Sequence, residues 1–148
     1  MSTRAARAGL SNLIYVRASI EDLPLELAGV ADQVTAILPW GSLLAAFARP
    51  VVPLLQDVRR LCAPAAALTV VLGVDPERDQ AEALRLGLPA LTPAHFAGAL
   101  PTGYAEAGFV VTRVRALTSQ DLARWATSWA KRLAYGRPRH VFQIEARA

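Results

Sequence analysis

A chain of 148 residues, 53% hydrophobic and 19% charged, has room for one domain with a real core and fits neither two domains nor general disorder. Its formal charge of +4 permits a nucleic-acid partner without demanding one. A lone cysteine, Cys62, rules out an internal disulfide and a cysteine-ligated zinc site, and the longest apolar run, residues 63–74, falls short of the roughly 18–20 residues that span a bilayer.

The first ten residues are alanine-rich, carry Arg4 and Arg7, and lack an apolar signal stretch, so they read as a basic linker or a helix end. A soluble, cytoplasmic protein without membrane or metal is expected. Residues 13–16, Leu-Ile-Tyr-Val, read as a buried strand. Residues 19–24 form a loop with an acidic pair, Glu21 and Asp22, broken by Pro24. Residues 33–38 make a second strand, stopped by Pro39-Trp40-Gly41. Val51, Leu54, Leu55, Val58, Leu61 and Cys62 recur at three- and four-residue spacings, which predicts an amphipathic helix ended by Pro64, with Cys62 as inert packing. Residues 67–74 are a third strand. Asp75-Pro76 opens a helix that runs to about Leu86 and stops at Gly87. Residues 88–100 are broken by prolines, and a short helix over 104–107 is capped by Gly108. Residues 109–114 form a fourth strand. Thr118-Ser119-Gln120-Asp121 resembles a helix-start box, for a helix with Leu122, Trp125 and Trp129 on one side. Residues 141–144 are the last strand. The order predicts an α/β fold with parallel strands early and an antiparallel edge at the end.

Ligands of open α/β sheets bind beyond the carboxyl ends of the strands. Ser19-Ile20-Glu21 and Pro39-Trp40-Gly41 both stand at such ends. A tryptophan between proline and glycine is poorly placed for a core; it either meets a ligand or covers the sheet edge. Residues 129–139 interleave Lys131, Arg132, Arg137 and Arg139 with Trp129 and Tyr135 and hold no acid. That mixture suits RNA, where guanidinium groups neutralise phosphates and rings stack on unpaired bases; a solvated helix end has the same composition. His95 and His140 lie in no catalytic signature and read as surface or packing residues. The acids Asp75, Glu77 and Asp79 read as loop or helix-start charges.

Three blocks in order, residues 18–24 (Ala-Ser-Ile-Glu-Asp-Leu-Pro), 34–44 with Pro39-Trp40-Gly41-Ser42-Leu43-Leu44, and 128–133 (Ser-Trp-Ala-Lys-Arg-Leu), resemble the aminoglycoside-resistance 16S rRNA methyltransferases that modify N1 of adenine 1408. The resemblance runs from about Gly9 to Ile144. It implies a class I S-adenosylmethionine-dependent methyltransferase (Rossmann-like) fold, S-adenosylmethionine as cofactor, and the 16S rRNA of the 30S subunit as partner. It implies Trp40 and Trp129 as the two faces that clamp a flipped adenine. Ser19, Ile20, Glu21, Ile37, Pro39 and Thr127 match cofactor-side positions. Lys131, Arg132, Arg137 and Arg139, with Arg4 and Arg7, match basic positions that grip rRNA. The implied division is a basic linker over 1–12, a core over 13–117, a target-binding linker and helix over 118–139, and a last strand over 140–148.

The family needs a glycine-rich loop after its first strand and an acid after its second. Here Gly9 is the only glycine before Gly29, and the first visible strand matches the family's third. A partial fold missing the first two strands is therefore expected, from an N-terminally truncated sequence. The alternative is an rRNA-binding, catalytically inactive fragment.

Overall fold

The computed structural model describes residues 12–75, 77–123 and 140–148. Among them β1 (Ala31–Ile37), β2 (Cys62–Val74), β3 (Val110–Ala116) and β4 (His140–Arg147) form one sheet in the order β1-β2-β4-β3. β1 is parallel to β2, and β4 is antiparallel to both β2 and β3. A parallel pair requires a crossover, supplied here by α1 (Ser42–Ala48) and α2 (Val52–Leu61). Between β2 and β3 run α3 (Gln80–Leu86), α4 (Pro93–Ala97) and α5 (Ala99–Glu106), and α6 (Ser119–Ala123) follows β3. The predicted antiparallel pair closes one end of the sheet, but its last strand is internal and β3 is the edge. No helix among the described residues is long and apolar enough to cross a membrane.

Strand alternation gives the sheet two unlike faces. Val34 and Ala36 of β1, Leu68, Val70 and Leu72 of β2, and Ile144 and Ala146 of β4 point into one core with Leu44 and Phe47 of α1, Leu55 and Val58 of α2, and Leu100 and Tyr104 of α5. Each fully buried aliphatic side chain in that layer contributes about 1.5–3 kcal/mol. The opposite face carries Gln33 and Thr35, Thr69, Glu145 and Arg113, none of them buried. It becomes apolar only toward the carboxyl ends of β1 and β2, where Val71, Leu117, Leu122 and Val141 form a smaller buried cluster against Ile37 and Leu38.

Residues 13–16 are not the buried strand that their composition predicts. They lie outside any strand, with Leu13 at 38% and Ile14 at 82% exposure. The reason is the sheet order: β1 is an edge, and no described strand stands beyond it to receive this segment. The helix predicted through Cys62 ends at Leu61, and β2 begins at Cys62 rather than at Ala67. Pro64 is accommodated because the β1–β2 register jumps there, from Ala31↔Cys62 to Gln33↔Ala67. Ala65 sits at φ 62°, its N–H donating to the Ala148 carbonyl. Cys62 remains packing: it is buried, its thiol lies 3.6 Å from the Val58 carbonyl, and burial pushes that thiol up.

α1 has no counterpart in the sequence reading because Leu44 to Ala48 are all buried, so the helix shows no polar face to mark its period. α3 starts at Gln80 and not at Asp75, because the Asp75 carboxylate accepts the Glu77 and Arg78 N–H groups and holds a turn there. Gly87, at φ 59°, ends it as predicted. Pro101 lies in the first turn of α5, where a missing N–H costs nothing, so the helix over 104–107 begins earlier, at Ala99.

α5 approaches the chain at Pro50 so closely that a Cβ on Gly103 would lie 2.4 Å from the Pro50 Cβ. Gly103→Ala gains helix propensity yet forces that contact apart. Urea denaturation is expected to show a net loss of about 1–3 kcal/mol, and unchanged or raised stability would contradict the close approach.

Candidate functional site

Of the sequence-predicted site residues, Ser19, Ile20, Glu21, Ile37, Pro39 and Trp40 are described. Thr127, Trp129, Lys131, Arg132, Arg137, Arg139, Arg4 and Arg7 lie outside the described residues.

β1 leaves the sheet at Ile37. Leu38 then adopts φ 51°, a left-handed conformation that costs a side-chain-bearing residue roughly 1–2 kcal/mol, and its N–H still donates to the Val71 carbonyl at 2.8 Å. Pro39 follows, then Trp40, then Gly41 at φ 63° and ψ −135°. A Cβ on Gly41 would meet nothing within 4 Å, so the backbone angle, rather than a close neighbour, calls for glycine there. This reversal aims Trp40 away from both cores, at 53% exposure. The indole is therefore left partly exposed on a strained turn at the carboxyl end of a strand.

Ser19, Ile20 and Glu21 lie in and just before a 3₁₀ turn, Ile20–Asp22, whose Ile20 packs against the larger core. The Ser19 hydroxyl donates to the Glu21 carboxylate and holds it below the usual carboxylate range, so the exposed acid is ionised and ready to accept hydrogen bonds. Ile37 belongs instead to the smaller cluster at the end of β1. The two sets of cofactor-side candidates thus rest on different hydrophobic clusters. Ile37 and Pro39 stand together with Trp40, and Ser19 to Glu21 stand on their own turn.

The box at Thr118 forms. The Thr118 N–H and hydroxyl both donate to the Asp121 carboxylate, at 2.9 and 2.7 Å, and the Thr118 hydroxyl oxygen accepts from the Asp121 N–H at 3.2 Å. These bonds, with Arg115 at 3.3 Å, lower the Asp121 carboxyl from 3.8 to about 2. A lowered folded-state value stabilises the fold above the unfolded value, and that contribution fades as pH falls from about 4 to about 2. An NMR titration of the Asp121 carboxyl is expected to give a midpoint near 2, moving up toward the ordinary value in Thr118→Ala. An ordinary midpoint in the parent protein would exclude the box.

Sequence reasoning missed the polar side chains behind that box. Gln143, only 8% exposed, accepts from Arg115 at 2.7 Å and donates to Glu145 at 2.9 Å. Arg115 Nε is buried with no hydrogen-bond partner among the described residues. The available signal was the pair of arginines, Arg113 and Arg115, at alternate positions in a strand. The histidines match their expectation. His95 Nε2 lies 2.7 Å from the Ala48 carbonyl and ties α4 to α1, and His140 is exposed. Asp75 and Asp79 bond backbone N–H groups of their own loop. No cluster of metal-ligating side chains occurs among the described residues.

A family profile described as NpmA, 16S rRNA (adenine(1408)-N(1))-methyltransferase, matches residues 1–148. The Escherichia coli 16S rRNA (adenine(1408)-N(1))-methyltransferase is 32% identical over 142 residues, covering 95% of this chain and 65% of its own length. The enzyme of the same name from Streptoalloteichus hindustanus is 33% identical over 138 residues, 93% of this chain and 63% of its own. Among solved structures, the aminoglycoside resistance methyltransferase NpmB1 superposes with a TM-score of 0.79 at 42% identity, over 97% of this chain and 64% of its own. A variant of the Catenulisporales acidiphilia enzyme, solved with its cosubstrate SAM, superposes with a TM-score of 0.80 at 33% identity, over 97% and 64%. The chain therefore spans just under two thirds of the length of these relatives, and over that span its mixed α/β sheet has their methyltransferase fold. The chain belongs to the 16S rRNA (adenine(1408)-N(1))-methyltransferase family.

Proposed function

We propose that this chain carries the target-base side of an RNA methyltransferase acting on N1 of adenine 1408 of 16S rRNA in the small ribosomal subunit, with aminoglycoside resistance as the consequence. The observation that carries the reading is Trp40, an exposed indole on a strained turn at the carboxyl end of β1. Trp40 offers one face for a flipped adenine and Trp129 the other. Stacking is worth roughly 1–3 kcal/mol per base, enough to offset much of the few kcal/mol that extruding the base costs. N1 of neutral adenine has a free lone pair, so the residues need hold and orient the base and remove no proton. The product base is cationic, and π faces on both sides stabilise it. Residues 118–139 form the target-binding segment, with Lys131, Arg132, Arg137 and Arg139, joined by Arg4 and Arg7, neutralising phosphates.

S-Adenosylmethionine, when bound, supplies the methyl group on a sulfonium. The described residues suit the nucleoside side of such a molecule: Glu21 is an ionised, exposed acceptor, and Ile37 and Pro39 are apolar and part-buried beside the base platform. Ser19 and Ile20 shape the Glu21 turn, and Thr127 is the remaining residue assigned to the cofactor. A ribosomal substrate puts the protein in the cytoplasm.

The test is methylation of purified small subunits with labelled S-adenosylmethionine, beside calorimetric titration of the cofactor alone. Label at N1 of the adenine supports the reading. Salt-sensitive subunit binding with neither cofactor affinity nor label replaces it with the binding-only reading.

A further inference from the structure

We propose that Arg115 is a positioning residue for the RNA-facing side: through Gln143 and Asp121 it fixes α6 along a cross-strand row that ends beside Trp40. The proposal rests on the reading of Trp40 as a base platform. The row is set by strand register: Ile37 pairs with Val71, Val71 with Gln143, and Gln143 with Arg115, so these four side chains share one face from β1 to β3. α6 lies on this row with two successive residues. Leu122 is buried in the cluster that holds Val71 and receives Ile37 and Leu38, whereas Asp121 pairs with Arg115 at 3.3 Å. One end of the attachment is apolar, toward β1; the other is ionic, at β3.

Arg115 can hold that end because its planar fork serves two partners. One terminal nitrogen donates to Gln143 at 2.7 Å and the other meets Asp121. Glu145 accepts from the Gln143 amide nitrogen, so the amide oxygen must face the guanidinium, and the chain of bonds has one sense. Global stability depends little on this partly exposed pair. Among the described residues, α6 is anchored to the sheet through buried Leu122 and through the Asp121–Arg115 pair. Loss of Arg115 therefore shifts α6 without unfolding the sheet, and the end of β1 loses its neighbour.

The test compares Arg115→Met, Arg115→Lys and Asp121→Asn in the full chain, reading amide hydrogen exchange at Leu122 and affinity for purified small subunits. The Leu122 N–H donates to the Thr118 carbonyl at 3.1 Å and reports on α6. Arg115→Met is expected to speed its exchange and weaken subunit binding, each by roughly 2- to 30-fold, while exchange at Ile144 in β4 stays unchanged. Arg115→Lys, which keeps the charge opposite Asp121 but not the fork, restores part of both. Asp121→Asn separates positioning from direct contact. If Arg115 acts through α6, this variant weakens binding like Arg115→Met; if Arg115 grips a phosphate itself, freeing it strengthens binding. Strengthened binding, or Leu122 exchange unaltered in Arg115→Met, overturns the proposal. Should the parent chain not bind subunits at all, the function reading fails, and the exchange measurements alone decide whether Arg115 positions α6.

Discussion

On the proposed function, Trp40→Ala is expected to lower methyl transfer to small subunits by about 5- to 150-fold, the equivalent of losing roughly 1–3 kcal/mol of base stacking. Stability changes by no more than about 0.5 kcal/mol, because the indole is 53% exposed and belongs to neither hydrophobic cluster. Trp40→Phe keeps a π face and recovers most of the rate. The comparison is made by single-turnover methylation and by thermal denaturation of the same preparations. A rate unchanged in Trp40→Ala would remove the base platform. A large stability loss would mean that Trp40 is a structural cover after all. Pro39 and Gly41 are poor substitution sites for this purpose, since changes there move the turn as well as the ring.

Tyr104→Ala costs about 3–5 kcal/mol, enough to unfold much of a marginally stable domain. The ring is fully buried between the sheet and the helices, tilted against Phe109 with centroids 6.3 Å apart. Its hydroxyl donates to the Phe47 carbonyl at 3.2 Å, which ties α5 to the end of α1. Burial pushes the phenol well above its usual value, so it stays a donor throughout the accessible pH range. Tyr104→Phe isolates the hydrogen bond: it keeps the packing but strands the Phe47 carbonyl, for about 1–3 kcal/mol. Equilibrium urea unfolding of both variants checks the order. Equal losses would assign the whole effect to the hydroxyl.

The amphipathic part of α2 was legible because Leu55 and Val58 face the core while Gln56 and Arg60 face water. The stop at Gly87 and the Thr118 box were legible because each is a local rule of backbone angle or N–H capping. Trp40 stood out for the same kind of reason, caught between the two residues that most constrain and most free a backbone. α1 was invisible because its long buried run has no contrast to read, and residues 13–16 misled because apolar composition reports a wish for burial without supplying the partner.

By itself, then, the chain's order of residues determined its family, its α/β alternation and the choice of Trp40 and Trp129 as indoles to test, since those depend on neighbours in sequence. Only the tertiary structure decided that β4 lies inside the sheet, that residues 13–16 go unpaired, and that Ile37, Val71, Gln143 and Arg115 form one row under α6. Strand register and sheet order bring together residues as many as 106 positions apart, from Ile37 to Gln143, and no local pattern encodes such a pairing.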